Sequence, residues 1–314
     1  GEDHAGIMVL PPGSATPGDD AFPILGLGEE VLDIAVTPDR GYALSVRGIA
    51  REVAIAQGLP FIDPADQLPP LEEAHGQAVA TGSDDPQGCD LIMLRTLDGF
   101  DPTAPTPDFI ATRLAAVGVR SVSLAVDVTN YVMFELGQPL HAFDADLISG
   151  TIRCRPARPG ETLETIDHVV RELSVEDLVI ADDARVLSIA GVMGGADSEI
   201  NPATTRVVIE AAHFDAVRTA RSSRRHKLSS EASRRFERGV DRMLPPVASA
   251  RAAQLLVAHG GARYAGTTAV ETAPDVARVA FDPHHPGRVA GRNYDVSTVA
   301  AILRALGCQI DETA

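Results

Sequence analysis

The sequence contains no tryptophan, and aromatic residues make up only 4% of it. Stacking on nucleobases therefore has few side chains to draw on. Cysteine is almost as scarce: Cys89, Cys154 and Cys308 lie far apart, with no CxxC or HxxxH companion. That pattern argues against a disulfide framework and against zinc or another metal site, and it predicts small buried fillers. No apolar run approaches the roughly 20 residues of a membrane span, and no basic segment with a following apolar core opens the sequence. Both observations point to a cytoplasmic protein without a membrane partner. Positive charge is in deficit: 27 Lys and Arg face 44 Asp and Glu, for a net charge of −17. A uniformly acidic surface repels phosphate, so contact with nucleic acid must be local, and DNA is not an expected partner. Walker A, GxGxxG after a strand, and internal repeats are also missing.

What is present fits a globular α+β chain of several domains. At 314 residues and 33.0 kDa it exceeds what one hydrophobic core usually organises, so two to four domains are expected. A strand-like start runs into a Pro/Gly loop at Pro11, Pro12, Gly13, Pro17 and Gly18. In VLDIAVTPDRGYALSVRGIAREVAIAQG (31–58), Ser45 is a fair N-cap for a helix carrying Ile49, Val53 and Ile55 to a stop at Gly58. Residues 61–88 read as a linker. LIMLRTLDG (91–99) then reads as a strand, and a helix starting at Pro107 carries Phe109, Ile110, Leu114 and Val117 to Gly118. Between 150 and 213, TIRCRPA, HVVREL, DLVIADD, RVLSIAGVMGG and TRVVIEAAHF recur as short strands. They predict an antiparallel sheet or sandwich with helices packed on one side. Two helical segments are expected between Phe214 and Gly260, and Ser297 is expected to cap a last helix of Val299, Ile302, Leu303 and Leu306.

Four places concentrate side chains that could do chemistry. The stretch VDVTNYVMFELGQPLHAFD (126–144) groups Asp127, Thr129, Asn130, Glu135, Gln138, His141 and Asp144 beside an apolar run. It is either a buried helix with capping polar residues or part of a site. Glu210 ends the apolar run RVVIE; it could pair with Arg206 or Arg218, or act as a buried acceptor for a hydroxyl. Ala190, Gly191, Gly194 and Gly195 form a bulge, or a wall where backbone approaches a ligand closely. From Arg218 to Arg242 nine Arg or Lys stand against three acids, a local balance of +6. This is a solvated helix face or a phosphate track.

The blocks at 126–144, LSIAGVMGG (187–195), IEAAHF (209–214) and HKLSSEASRRFERGVD (226–241) resemble the B3/B4 domain of bacterial phenylalanyl-tRNA synthetase β subunits. The resemblance implies a B3/B4-type β-sheet or sandwich core with packed helices, flanked by small helical B1- and B5-like elements. The expected divisions are 1–26 as the end of a tRNA-binding OB-type (B2) domain, 27–60 as B1-like, 61–88 as linker, 89–270 as the B3/B4 editing domain and 271–314 as the start of B5. A start at Gly1 reads as a truncation. TPDRGYALS departs from the family's usual TPNRPDCLS, so no function is carried over there, and the reading is structural.

The implied activity is hydrolysis of mischarged Tyr-tRNA(Phe). An apolar pocket rejects an added hydroxyl by only about 10², so a second site must remove the error. By resemblance His141 and Glu210 are the catalytic pair, Glu210 reading the phenol and His141 positioning substrate or water. Thr129, Asn130, Ala190, Gly194, Ser230 and Ala232 would line the substrate pocket. Ser230 stands where the family commonly has Thr, which keeps the hydroxyl and removes a methyl. Arg224, Arg225, Arg234 and Arg235 would contact the RNA backbone. No Ser-His-Asp set or metal constellation is apparent, so positioned water is expected rather than a covalent intermediate. The implied partners are tRNA(Phe) and the α subunit of an α2β2 enzyme. ATP and Mg²⁺ belong to that complete enzyme, and no cofactor is expected within this stretch. Two other readings remain open: a non-catalytic RNA-binding and assembly module whose editing has decayed, and a free-standing hydrolase acting in trans.

Overall fold

The computed structural model describes residues 10, 12–25, 30–272 and 278–311. The strand expected at the start falls mostly outside these residues. Residues 12–25 form turns and one helical turn, α1 (Ala21–Ile24). Helix α2 (Val46–Gln57) begins where Ser45 Oγ accepts from the Gly48 amide, and it ends at Gly58, whose φ of 63° suits a residue without Cβ.

The stretch read as a linker is partly built into the domain. His75 and Gly76 donate main-chain hydrogen bonds to the carbonyls of Tyr264 and Ala265. Strand β1 (Thr81–Ser83) then pairs in parallel with β4 (Ile152–Pro156). A three-residue strand with Gly82 at its centre is too short to carry a readable alternation, so composition alone suggested a linker.

The long strand β2 (Cys89–Asp98) organises the core. Its successive side chains point to opposite faces. Ile92 and Leu94 join one apolar cluster, and Leu97 joins the other. Strand β2 lies between β10 (Arg206–Phe214) and β11 (Arg263–Glu271), and β3 (Leu140–Asp144) pairs with the other edge of β10. All pairs in this four-stranded sheet are antiparallel. A second sheet has the order β1, β4, β7 (Leu178–Ala181), β8 (Val186–Ile189), β9 (Met193–Gly194). The pair β5 (Thr162–Glu164) and β6 (Val170–Glu172) forms a separate hairpin. Four of the five runs read as strands between 150 and 213 hold one strand each, and RVLSIAGVMGG holds two. The β5 strand was not anticipated.

The two larger sheets pack face to face. Ile92, Leu94, Phe143 and Val208 from one meet Ile152, Cys154, Ile180 and Leu187 from the other, all at most 1% exposed. Burying each such side chain fully contributes about 1.5–3 kcal/mol. A one-residue slip of β10 would turn Val208 and Glu210 away from this layer and Val207 and Ile209 into it, so burial fixes the register.

The other face of the four-stranded sheet is covered by helices α3 (Asp108–Ala116), α4 (Leu124–Leu136) and α7 (Leu244–Gly260), through Ile110, Leu114, Val128, Val132, Ala252 and Leu256. Before α7, the chain forms α5 (Ala216–His226) and α6 (Glu231–Phe236). Three helices thus replace the two expected, and Phe214 belongs to β10 rather than to a helix. Helix α7 starts at Leu244, with Pro245 and Pro246 inside its first turn, where a missing N–H costs nothing because those donors have no intrahelical acceptor.

Beyond 277 come α8 (His285–Ala290) and α9 (Val296–Ala305). The N-cap of α9 is Asp295, so Ser297 lies inside the helix it was expected to cap. Cys89 and Cys154 are buried as expected, whereas Cys308 is exposed. Among the described residues no helix is long and apolar enough to cross a membrane, and no group of three or more His, Cys, Asp or Glu side chains could hold a metal ion.

Candidate functional site

Helix α4 stops at Gly137, whose φ is 93°, and Pro139 fixes the backbone of the turn that leads into β3. Two residues later His141 sits directly opposite Glu210 in the antiparallel ladder. Directly opposed residues bring their Cβ atoms within about 4.5–5.5 Å, so the imidazole and the carboxyl are neighbours on one face. That face is the one turned toward the second sheet.

Glu210 is 6% exposed. Neither expected arginine partners it: Arg206 pairs with Asp98 and Asp146, and Arg218 with Asp85. No hydrogen bond to its carboxyl occurs among the described residues. Burial pushes the carboxyl up to about 7, and the same burial pulls the His141 imidazole down to about 4. Near neutral pH the imidazole is therefore uncharged and the carboxyl is close to half-protonated. Burying a full charge without a partner would cost several kcal/mol, and both groups lower that cost by favouring the neutral form.

The His141 ring contacts Phe143 edge-on, with centroids 4.5 Å apart, and its Nε2 is buried without a partner. Against it lies the backbone of Gly194: a Cβ built there would come within 2.3 Å of Cε1 and 2.8 Å of Nε2. The glycine is required by this approach rather than by a turn conformation.

Ala190 is buried in the same cluster as Phe143 and Ala212, the residues flanking the pair along β3 and β10. Ser230 is tied to the same glycine-rich loop. Its hydroxyl donates to the Val192 carbonyl at 2.8 Å and accepts from the Ser233 amide at 3.0 Å as the N-cap of α6. Ala232 is half-buried two residues further on, in the first turn of α6. The structure thus brings His141, Glu210 and Gly194 together and places Ala190 and Ser230 around them. Thr129 and Asn130 lie on α4, whose apolar residues join the cluster on the other face of the sheet. The Thr129 hydroxyl donates back to the Val126 carbonyl at 2.8 Å, and no hydrogen bond links either residue to the pair among the described residues.

Several polar side chains of the 126–144 stretch are structural. Asp127 gathers the hydroxyls of Thr106 and Ser121 and the Val122 amide. Glu135 pairs with Arg251 at 3.0 Å, and Asp144 accepts from Thr204 at 2.7 Å. Ser198, which sequence reasoning did not single out, has a buried hydroxyl without a partner. The next residue, Glu199, bridges to Phe143 of β3. Nothing in its local pattern marks it. Two cavities, of about 180 and 350 Å³, open elsewhere. One is a ring of Arg and acid side chains around Arg155, and the other lies under Ile62 and Leu68. Size is a poorer guide here than the unpartnered polar atoms.

The basic run needs correction at several positions. Arg235 is 3% exposed, pairs with Glu231 at 2.7 Å, donates to the Leu44 carbonyl and stacks over Phe134, so it cannot meet an RNA phosphate. Arg225 is engaged by Glu176 and by the fully buried Asp177. Arg234 pairs with Glu231 on the surface. Arg221, Arg224 and Lys227 remain as exposed cations on or just after α5 with no ion pair among the described residues. A charge count could not separate these groups, because it carries no information on which side of a short helix faces the core.

The profile of the B3/4 domain family matches residues 88–261, more than half of the sequence and most of the two-sheet unit, leaving out β1 before it and β11 after it. The chain belongs to the B3/4 domain family. His141, Glu210 and Gly194 all lie inside the B3/4 domain. The phenylalanine–tRNA ligase beta subunit of Thermobifida fusca (strain YX) is 54% identical over 310 residues, covering 98% of this chain and 37% of that protein. That of Streptomyces avermitilis is 52% identical over 315 residues, covering 99% and 38%. The chain thus spans little more than a third of the length of these relatives. A solved N-terminal fragment of the phenylalanyl-tRNA synthetase beta-subunit from Pyrococcus horikoshii aligns over 86% of this chain and 74% of that one. Its identity is 13% and its TM-score 0.41, too low to establish a shared fold.

Proposed function

We propose that the chain is a segment of a phenylalanine–tRNA ligase β subunit and that its B3/4 domain hydrolyses mischarged Tyr-tRNA(Phe). The observation that carries this reading is the His141–Glu210 pair: two buried titratable groups with no hydrogen-bond partner among the described residues, opposed on one ladder and walled by a glycine. A buried carboxyl with no other partner meets a phenolic hydroxyl at a hydrogen-bonding cost that phenylalanine cannot repay. Phenylalanine would leave that carboxyl unpaired, so the site favours the tyrosyl ester. The neutral His141 imidazole is free to orient a water at the ester. Ala190, Gly194, Ser230 and Ala232 form the pocket wall, whereas Thr129 and Asn130, on a helix against the opposite face of the sheet, are left out of it.

Arg221, Arg224 and Lys227 are the cations left to meet the tRNA backbone. The partners are tRNA(Phe) and the α subunit of an α2β2 assembly in the cytoplasm. Aminoacylation with ATP and Mg²⁺ falls to that assembly, and no residue of this chain is assigned to it. The test is deacylation of Tyr-tRNA(Phe) and Phe-tRNA(Phe) by the chain and by its Glu210→Ala variant. Preferential hydrolysis of the tyrosyl ester, lost in the variant, is expected. No hydrolysis by the parent would favour the non-catalytic assembly module instead.

A further inference from the structure

Among the described residues six buried side-chain polar atoms lack a hydrogen-bond partner, and three of them sit on β3, at its entry or against it: Gln138 Oε1, His141 Nε2 and Ser198 Oγ. A hydroxyl rotates to suit whatever is near, so Ser198 says little. The Gln138 amide is fixed. Its Nε2 donates to two main-chain carbonyls, Pro139 and Ala212, both at 2.9 Å. Flipping the amide would set Oε1 against those two carbonyl oxygens, a repulsive arrangement. The side chain is fully buried, at 0% exposure, so its Oε1 has neither a protein donor nor free access to solvent. A buried acceptor left unpaired keeps the full penalty of its lost hydration, which a ligand donor would recover. The placement also fits. The Ala212 carbonyl that holds the amide is two residues along β10 from Glu210, and Gln138 itself is three residues before His141.

We propose that Gln138 is a further substrate-binding residue, whose Oε1 accepts a hydrogen bond from the α-amino group of the aminoacyl ester. The proposal rests on the reading of the site as an aminoacyl-ester hydrolase. Glu210 then reads the far end of the side chain, and Gln138 reads the end nearest the scissile bond. An amide carbonyl is neutral at every pH, so it distinguishes an amino acid from its deaminated counterpart without competing for the proton of the carboxyl.

The experiment compares hydrolysis of Tyr-tRNA(Phe) with that of the tRNA carrying 3-(4-hydroxyphenyl)propionate, the same acyl group without its amine. Each rate is divided by the uncatalysed rate of the same ester, because the α-ammonium group itself activates the ester; so corrected, the amino ester should be cleaved about tenfold faster on the parent chain, as one hydrogen bond implies. In Gln138→Leu that preference should vanish, through slower hydrolysis of the amino ester and an unchanged rate on the deaminated one. If the side chain only clips β3 to β10, both esters slow together in the variant, and that overturns the proposal. Equal corrected rates on the parent overturn it without any variant, so a poorly folding Gln138→Leu does not protect it. If the parent cleaves neither ester, the hydrolase reading itself fails and this proposal falls with it.

Discussion

Replacing Glu210 by Gln keeps the size of the side chain and removes its titration, so the consequence can be worked from burial alone. The parent carboxyl ordinarily ionises at 4.5, and burial moves it to about 7. Because the folded value is raised, the stabilising contribution is fully present below pH 4.5 and is lost as pH climbs through about 7. At about 1.36 kcal/mol per pH unit, ionising the buried group costs about 3 kcal/mol by pH 8. Gln pays none of this. The difference in unfolding free energy between Glu210→Gln and the parent should be near its constant acid value at pH 4 and should grow in favour of the variant by about 3 kcal/mol toward pH 8. Urea denaturation followed by far-UV circular dichroism at several pH values measures it, with the main transition assigned to the two-sheet unit. A difference that stays flat from pH 4 to 8 would refute the reasoning, for it would mean that the carboxyl ionises in place with an unrecognised partner. Hydrolysis of Tyr-tRNA(Phe) by the same variant should fall, so that the substitution trades function for stability at alkaline pH.

Other substitutions test the remaining parts. His141→Gln should remove an acid-side loss: the parent imidazole ordinarily titrates at 6.5 and burial lowers it to about 4, so parent stability falls as pH drops through that window while the variant's does not. Thermal melts at pH 4 and 7 check this. Gly194→Ala forces a methyl to 2.3 Å from the imidazole and should cost about 1–3 kcal/mol and abolish deacylation, whereas equal activity would remove the glycine from the wall. Arg224→Gln should lower the slope of log affinity for tRNA against log salt by about 0.7–0.9, as expected for one lost phosphate contact. Arg235→Ala should leave that slope unchanged and instead lower the stability of the fold by about 1–3 kcal/mol, since a buried guanidinium with three acceptors is lost.

Local chemistry made much of the framework readable. Ser45 and Gly58 mark the ends of α2, where a cap and a left-handed residue satisfy groups that any helix leaves open. The apolar runs around Leu91, Val179 and Val207 became strands because their hydrophobic residues, β-branched Ile92, Val179, Ile180, Val207, Val208 and Ile209 among them, are buried there between layers. What stayed hidden depended on neighbours remote in sequence. Strand β1 exists because β4 offers an edge to three residues of which only Thr81 favours extended backbone. Arg235 turns inward because Glu231, Leu44 and Phe134 converge on it, and only one of those is on the same helix.

The site shows the same division. Glu210 was marked as unusual by an acid closing an apolar run, but its want of a partner could be settled only when Arg206 and Arg218 were found committed to Asp98, Asp146 and Asp85. Gln138 and Ser198 carry no sequence signal beyond being polar; their unpaired atoms are a property of the packed interior. Burial holds both members of the His141–Glu210 pair toward their neutral forms, and among the described residues no charged neighbour counters that shift. A serine nucleophile would need an adjacent base, and no hydroxyl is hydrogen-bonded to His141 among the described residues. The arrangement therefore suits recognition and the orientation of water, in which discrimination rests on leaving buried polar atoms unpaired when the wrong substrate is bound. The largest penalties should accordingly come from ligands lacking a hydrogen-bonding group, rather than from those that are a methylene too large or too small.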